Sequence, residues 1–254
     1  MPSDMECAHY EPAGISNSNK NDIEDQSLQI LSQIHDDLVV IGGWGVRAHA
    51  QRNHKRYTLD IDAVTDKKGL QKTKKILISQ GLNCRKTEWG FQLYKPYMPS
   101  FPLHVFEQKL KLPEIRIEIS GPRITEHQTD HFFEFSLTHY QTKKIHFHTL
   151  DKTLLINVPS IADLTAVKLG LPADYKNIFD AIVLLQQTRV IDVVTAIKRN
   201  DSWDEMVLRR LPKYQGRLRD QNSLAHRIIV DAHIDIKNIG KKLSEIQNIL
   251  LKTQ

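Results

Sequence analysis

Cysteine is nearly missing from this chain: Cys7 and Cys84 are the only two in 254 residues. Two cysteines build no disulfide framework, so the expected setting is a reducing one, the cytoplasm. No apolar run approaches the ~20 residues that a bilayer crossing needs, so no membrane span is expected. The first residues are polar and acidic, which excludes a signal peptide as the expectation. No internal repeat is visible. Several catalytic patterns are missing too. The 12 histidines include no His-Glu-x-x-His pair. His146 and His148 share a strand face, a spacing that is more often a surface feature than a metal site. There is no Gly-x-Gly-x-x-Gly of a dinucleotide fold and no Lys-Ser/Thr of a P-loop. No Gly-x-Ser-x-Gly elbow or Cys/His nucleophile pattern occurs.

What is present is a hydrophobic fraction of 40%, a net charge of +5 and a pI near 9.1. The apolar content suffices for a real core, and the length suits one or two domains. The mild positive charge suits an anionic partner, a nucleotide or RNA.

The most informative stretch is Leu38-Val-Val-Ile-Gly-Gly-Trp44, taken together with the nearby Arg56-Tyr-Thr-Leu-Asp-Ile-Asp62. The first part is a β-branched run ending in two glycines. The second alternates, with Leu59, Ile61 and Ala63 on one side and Asp60 and Asp62 on the other. Strand residues two apart share a face, with Cα atoms roughly 6.6 Å apart. Two ionised carboxylates so placed repel each other, and a cation between them removes the penalty. Mg²⁺ prefers carboxylate oxygens together with substrate phosphates. Gly42 and Gly43 would let the backbone approach the phosphates closely. A helix from about Gly45 to Asn53 would aim its free N–H groups and dipole at the same place. An Asp-x-Asp alone is usually the wet face of an edge strand, and a Gly-Gly alone is usually a turn. Their order, strand, Gly-Gly, helix, strand with Asp-x-Asp, reads as a metal clamp beside a phosphate-binding turn.

The string IGGWGVRAHAQRNHKRYTLDIDAVTD resembles the active-site signature of the minimal nucleotidyltransferases of the DNA polymerase β-like superfamily. It is most similar to the AbiEii-type branch, which includes toxins of toxin–antitoxin pairs. Arg56, Thr58, Asp60 and Asp62 match that pattern position by position, over a resemblance spanning about residues 22 to 187. The resemblance implies an α/β (α+β) fold, a mixed sheet with flanking helices followed by a helical C-terminal region. It also implies an NTP substrate such as ATP, Mg²⁺ or Mn²⁺ as cofactor, and nucleotide contacts from Gly42, Gly43, Trp44, Arg56 and Thr58. It further implies a third metal-holding carboxylate on a neighbouring strand. In Glu114-Ile-Arg-Ile-Glu-Ile-Ser120 that is Glu118 by position, with Glu114 in reserve. An exposed Glu–Arg–Glu stripe pairing across strands is an equal reading of the same residues.

Along the chain, residues 1 to 21 are expected to form a flexible arm. Residues 22 to 158 would form the catalytic domain and 159 to 254 a helical one. A helix is expected from about Asp25. Asp66 should cap the next, ending at Gly81, whose five lysines (Lys67, Lys68, Lys72, Lys74, Lys75) read as a solvated face. Residues 131–137 and 144–149 look like a hairpin. Ser160-Ile-Ala-Asp163 opens a helix in which Lys168 falls on the apolar stripe with Ile161, Leu164 and Leu171. Such a lysine commonly snorkels to water. The segment VPSIADLTAVKLGL resembles the family helix that carries a triphosphate-binding lysine, which favours a cleft-facing Lys168. Pro172 should start another helix. There Asp180 is the only charge from Ile178 to Leu185, costly if buried unless Lys168 or Lys176 pairs with it. Asp180 would hold Lys168 or serve the acceptor hydroxyl. The family carries an acid where this chain has Asn177, which leaves the segment's role open.

Ser202-Trp-Asp-Glu205 suggests a capping box. Residues 224 to 250 suggest a long amphipathic helix or a pair broken near Gly240. The cluster of Arg209, Arg210, Lys213, Arg217, Arg219 and Arg227 reads first as a solvated helical face, then as a surface for RNA or an acidic partner. The expected activity is transfer of a nucleoside monophosphate to a hydroxyl of RNA (a tRNA end) or protein, with a small aminoglycoside-like alcohol as another acceptor. The rival is a non-catalytic module of the same fold that binds an antitoxin-like partner or RNA.

Overall fold

The computed structural model describes residues 15–50, 57–100, 103, 112–125 and 131–253, with the side chains of Ile228 and Asp231 left aside. The described residues divide into two compact units. The first draws on 15–48, 57–100, 103, 112–122 and 137–158, and the second on 49–50, 123–125, 131–136 and 159–253. The short stretch 123–136 thus groups with the second unit although the sequence places it in the catalytic domain. The class is α/β, with a mixed sheet in the first unit and a mainly helical second unit.

In the first unit, helix α1 (Asn17–Leu31) starts earlier than expected. Ser16 caps it by accepting the Asn19 N–H, and Ile15, Asn19 and Asp22 are already buried. Residues 15 to 21 are therefore structured, and the rest of the expected arm lies outside the described residues. The strands of this unit are β1 (Val39–Val40), β2 (Asp60–Val64), β3 (Asn83–Lys86), β4 (Gly90–Pro96), β5 (Glu114–Ser120), β8 (Gln141–His146) and β9 (Thr153–Val158). They form a seven-stranded sheet in the order β3-β4-β5-β2-β1-β9-β8. β1 runs parallel to β9 and antiparallel to β2, while β2 runs parallel to β5.

Register sorts the faces. Ile61 stands beside Ile117 and Ala63 beside Ile119, with Leu93 of β4 next to Ile117. All are buried in one apolar cluster with Ile23, Leu28 and Leu31 of α1 and Trp44 of helix α2 (Gly42–Ala50). At about 1.5–3 kcal/mol for each fully buried large apolar side chain, this layer holds the sheet and leaves its other face to polar residues.

Helix α3 (Lys67–Ser79) is capped by Asp66, whose carboxylate accepts the Gly69 N–H at 2.7 Å. Only Gly69, Thr73 and Leu77 are buried in it. Lys72 pairs with Asp37 at 2.7 Å and Lys74 lies 3.9 Å over the Phe91 ring, so the lysines form the solvated face expected.

In the second unit, β6 (Arg123–Thr125) pairs with β7 (Phe132–Glu134). This corrects the expected hairpin, because β8 pairs instead with β9. The alternation of Phe133 and Phe135 answers to a different core: both are buried, and Phe133 meets Trp203 edge-on at 5.7 Å. Helices α4 (Ile161–Gly170), α5 (Tyr175–Gln187), α6 (Val190–Lys198), α7 (Trp203–Arg219), α8 (Leu224–Asp231) and α9 (Ile236–Leu251) complete it. α5 is buried continuously from Ile178 to Leu185, the mark of a central helix. Lys242 of α9 closes its C-terminal end, donating to the carbonyls of Leu185 and Thr188 at 2.6 and 2.9 Å.

Three helix boundaries of this unit depart from expectation. Asp174, not Pro172, caps α5, accepting the Asn177 N–H at 2.8 Å. Ser202 makes no side-chain cap, because its φ of 62° puts it in the left-handed region. The break before α9 falls at His233, φ 55°, followed by the cap of Asp235, while Gly240 lies inside an unbroken helix.

Candidate active site

Asp60 and Asp62 lie on the same face of β2, opposite the buried Ile61 and Ala63, and both are half-buried. On the adjacent parallel strand, Glu118 is the register partner of Asp62 and Arg116 that of Asp60. Neighbouring strands stand about 4.8 Å apart, and laterally paired residues point the same way. Glu118 is therefore the carboxylate beside Asp62. Glu114 sits two positions before the partner of Asp60, and its carboxylate turns to Arg116 at 3.5 Å.

The row extends one strand further. Gln92 of β4 is the register partner of Glu118 and donates to its carboxylate at 2.5 Å. Nothing in the sequence singled out Gln92, because its partner on β5 is set only by strand pairing.

Gly42 stands on the other side of Asp62. The Ile41 N–H donates to the Asp62 carbonyl at 2.8 Å, which brings the Gly-Gly turn alongside the strand. Gly42 has φ +60°, and a Cβ there would collide with the Asp62 carboxylate. Both facts require glycine: L-residues pay about 1–2 kcal/mol in this region, and the cradle has no room. Helix α2 begins at Gly42, earlier than the expected Gly45. The Gly45 N–H already bonds the Ile41 carbonyl at 3.1 Å. The N–H groups ahead of it belong to the first turn, which has no intrahelical acceptors.

The segment entering β2 is held by a carboxylate that sequence pattern did not bring forward. Glu24 of α1, only 2% exposed, accepts the Thr58 N–H at 2.7 Å, both Arg47 guanidinium nitrogens at 2.7 and 2.8 Å, and His148 Nε2 at 2.5 Å. Burial works against its charge, but the hydrogen bonds from His148 and Arg47, the Arg47 charge and the Thr58 N–H outweigh it and hold the carboxyl down to about 2. A signal existed: Glu24, Leu28 and Leu31 share one helical stripe, so this acid interrupts an apolar face. His148 is thereby engaged by a carboxylate rather than paired with His146 for a metal.

The remaining expected nucleotide contacts fall as follows. Trp44 is fully buried, its ring 4.7 Å under the Arg47 guanidinium, so the side chain has no surface to offer a ligand. Thr58 is 3% exposed, and among the described residues its hydroxyl has no hydrogen-bond partner. Arg56 lies outside the described residues. Beside Asp60, burial and then the nearby Glu24, Tyr97 and Asp60 charges push the Tyr57 hydroxyl well up, so it stays protonated.

Lys168 and Asp180 meet within the second unit. Lys168 Nζ lies 3.0 Å from the Asp180 carboxylate and donates to the Asn177 side-chain oxygen at 3.2 Å. Asp180 is fully buried and Lys168 is 8% exposed. Asn177 explains itself here, since its amide accepts from Lys168 while donating to the Pro172 carbonyl at 3.1 Å, which a carboxylate could not do. Two buried aromatic donors hold the end of α4. Trp203 Nε1 donates to the Ala166 carbonyl at 2.9 Å, and the Tyr214 hydroxyl donates to that of Lys168.

The donor set Asp60, Asp62 and Glu118 has the all-oxygen chemistry that Mg²⁺ takes. Among the described residues, no three His, Cys, Asp or Glu side chains are gathered tightly enough to hold a metal ion as they stand. Gln92 draws Glu118 along the row, and Asp62 leans on Gly42. No described helix is long and apolar enough to cross a membrane.

No family model matches the chain, and no curated protein does. Among solved structures it is similar to the antibiotic-resistance factor ANT(2'')-Ia in solution, at 10% identity and TM-score 0.43, over 72% of this chain and 92% of that one. It is similar to the crystal structure of ANT(2'')-Ia in complex with adenylyl-2''-tobramycin at 12% identity and TM-score 0.43, over 71% and 95%. It is also similar to JHP933 from Helicobacter pylori at 12% identity and TM-score 0.44, over 94% of each chain. Superpositions this loose do not by themselves assign an activity.

Proposed function

We propose that this chain is a nucleotidyltransferase that moves a nucleoside monophosphate from an NTP to a hydroxyl, releasing pyrophosphate. The observation that supports it is the row in which Asp62 and Glu118 are register partners, Asp60 shares their face, and Gly42 opens a turn against Asp62. Asp60, Asp62 and Glu118 would hold Mg²⁺ or Mn²⁺. When bound, the metal supplies polarisation of the α-phosphate and charge stabilisation for the attacking and leaving oxygens. Gly42 and Gly43 admit the triphosphate to the first turn of α2, whose N–H groups and dipole favour anionic oxygens. Gln92 fixes Glu118 from the β4 side, away from Asp62. Lys168 and Asp180 satisfy one another within the second unit and take no part in this assignment. Arg56 keeps its proposed nucleotide contact.

The mild basic charge favours an RNA acceptor such as a tRNA end, with a protein hydroxyl next. Membership of the AbiEii-type branch, a role as the toxin of a toxin–antitoxin pair and a cytoplasmic location belong to the same proposal. The test is incubation with each labelled NTP, Mg²⁺ and total RNA, then with protein extract. Label on RNA or protein that vanishes with Asp60→Ala or Asp62→Ala supports transfer. Unchanged turnover in either variant rules the assignment out. Mg-NTP binding by calorimetry without any transfer favours the non-catalytic module.

A further inference from the structure

An open groove of about 860 Å³ runs along the second unit between α7 and α9. The two helices pack together, with Leu211, Tyr214 and Leu218 of α7 and Ile239, Leu243 and Ile246 of α9 all buried. Beside that seam the groove is lined from Ile236 to Lys252, the full length of α9, or ~24 Å at helical rise. Its floor is aliphatic, from Ile236 and Ile249 with the buried Leu218 beneath. Its rim is basic: Arg219, Lys237, Lys241 and Lys252 line it, against the single acid Glu245.

Gly240 lines this channel one turn in from its Ile236 end, inside an unbroken helix. A mid-helix glycine costs roughly 0.5–1 kcal/mol relative to alanine, and packing usually explains it. Here, apart from the helix's own adjoining backbone, no described atom lies within 4 Å of where a Cβ would stand. The chain's own described packing does not use the gap.

We propose that this groove docks an acidic amphipathic helix of a partner protein. An aliphatic floor flanked by cations matches a helix with an apolar stripe and flanking Glu or Asp, the helix-in-groove mode. The channel is long enough for about four turns, and Gly240 lets the partner's backbone come close. Nucleic acid fits less well. Among its described lining residues no aromatic side chain offers bases a stack, and a phosphate backbone would leave the aliphatic floor unused. The inference stands on the second unit alone and holds whether or not the carboxylate row transfers nucleotides.

The test uses the full chain and a fluorescein-labelled 16-residue peptide of Ala, Leu and Glu, with Leu at i, i+4, i+7 and i+11. Controls are a scramble of the same composition and a labelled 16-nucleotide RNA, single-stranded and as a duplex. Anisotropy should show the amphipathic peptide binding at least tenfold tighter than the scramble. Lys237→Glu with Lys241→Glu should weaken it tenfold or more. Gly240→Leu should do the same while raising the melting temperature, because the substitution fills the channel and improves the helix. Peptide affinity unmoved by both variants, or RNA binding that these variants abolish while the peptide fails to bind, overturns the proposal.

Discussion

The two units treat charge in opposite ways. On the sheet of the first, Asp60, Asp62 and Glu118 are like charges set side by side, all half-buried. In the helices of the second, Lys168 and Asp180 are opposite charges at 3.0 Å, almost wholly buried. Like charges kept within reach of solvent attract a cation from outside, whereas opposite charges sealed inside satisfy one another. On the proposed reading the first arrangement takes a cation; the second holds α4 to α5. Removing a carboxylate should therefore have opposite consequences in the two places.

The largest expected effect is on activity. Asp62→Ala should lower nucleotide transfer by about 10³-fold, the several kcal/mol that metal-held charge stabilisation contributes. Its unfolding free energy should change by less than about 1 kcal/mol, since the substitution relieves repulsion. Denaturant titration beside the transfer assay checks both halves, and a large stability loss would break the contrast. Asp180→Ala should do the reverse to the fold, costing about 3–5 kcal/mol by stranding Lys168. Asp180→Leu with Lys168→Met should recover most of that loss. If the single variant is as stable as the parent chain, the pair is not the closed unit described.

Glu24 tests a third arrangement, a buried acid inside the charge-rich unit. Its carboxyl is held at about 2 against 4.5 when unperturbed. A depressed value means that its contribution is complete above pH 4.5 and fades as pH falls toward 2, a loss of up to about 3 kcal/mol. Glu24→Gln should flatten the stability profile across that window, measured by urea unfolding from about pH 5 down to about pH 2.5. The smallest effect should come from Gln92→Leu. It removes one hydrogen bond to a carboxylate, and transfer should fall about tenfold with melting nearly unchanged. An activity equal to the parent's would show that Glu118 needs no such support.

Much of this was legible from local pattern. The alternation of Asp60, Ile61, Asp62 and Ala63 gave the strand and its two faces, because side-chain direction on a strand follows from covalent geometry. Asp66 and Ser160 were readable as caps for the same reason, each accepting an N–H three residues on. Lys168 and Asp180 announced themselves as charges on apolar stripes, although which lysine met Asp180 was open. Less was legible where two readings share one pattern. Phe133 and Phe135 marked a strand correctly but suggested the wrong partner, since alternation names a face and not a neighbour. The helix break moved from Gly240 to His233, because a glycine weakens a helix without obliging it to end.

By itself the sequence determined which residues face inward and which carry charge, since periodicity and side-chain chemistry are properties of the chain. Only the tertiary structure decided that Glu118 rather than Glu114 stands beside Asp62, that Gln92 holds it, and that Glu24 secures the approach to β2. Those are facts of register and packing between segments far apart on the chain. Strand pairing selects them through the burial of Ile61, Ile117 and Leu93 on the opposite face, a choice that no local pattern encodes.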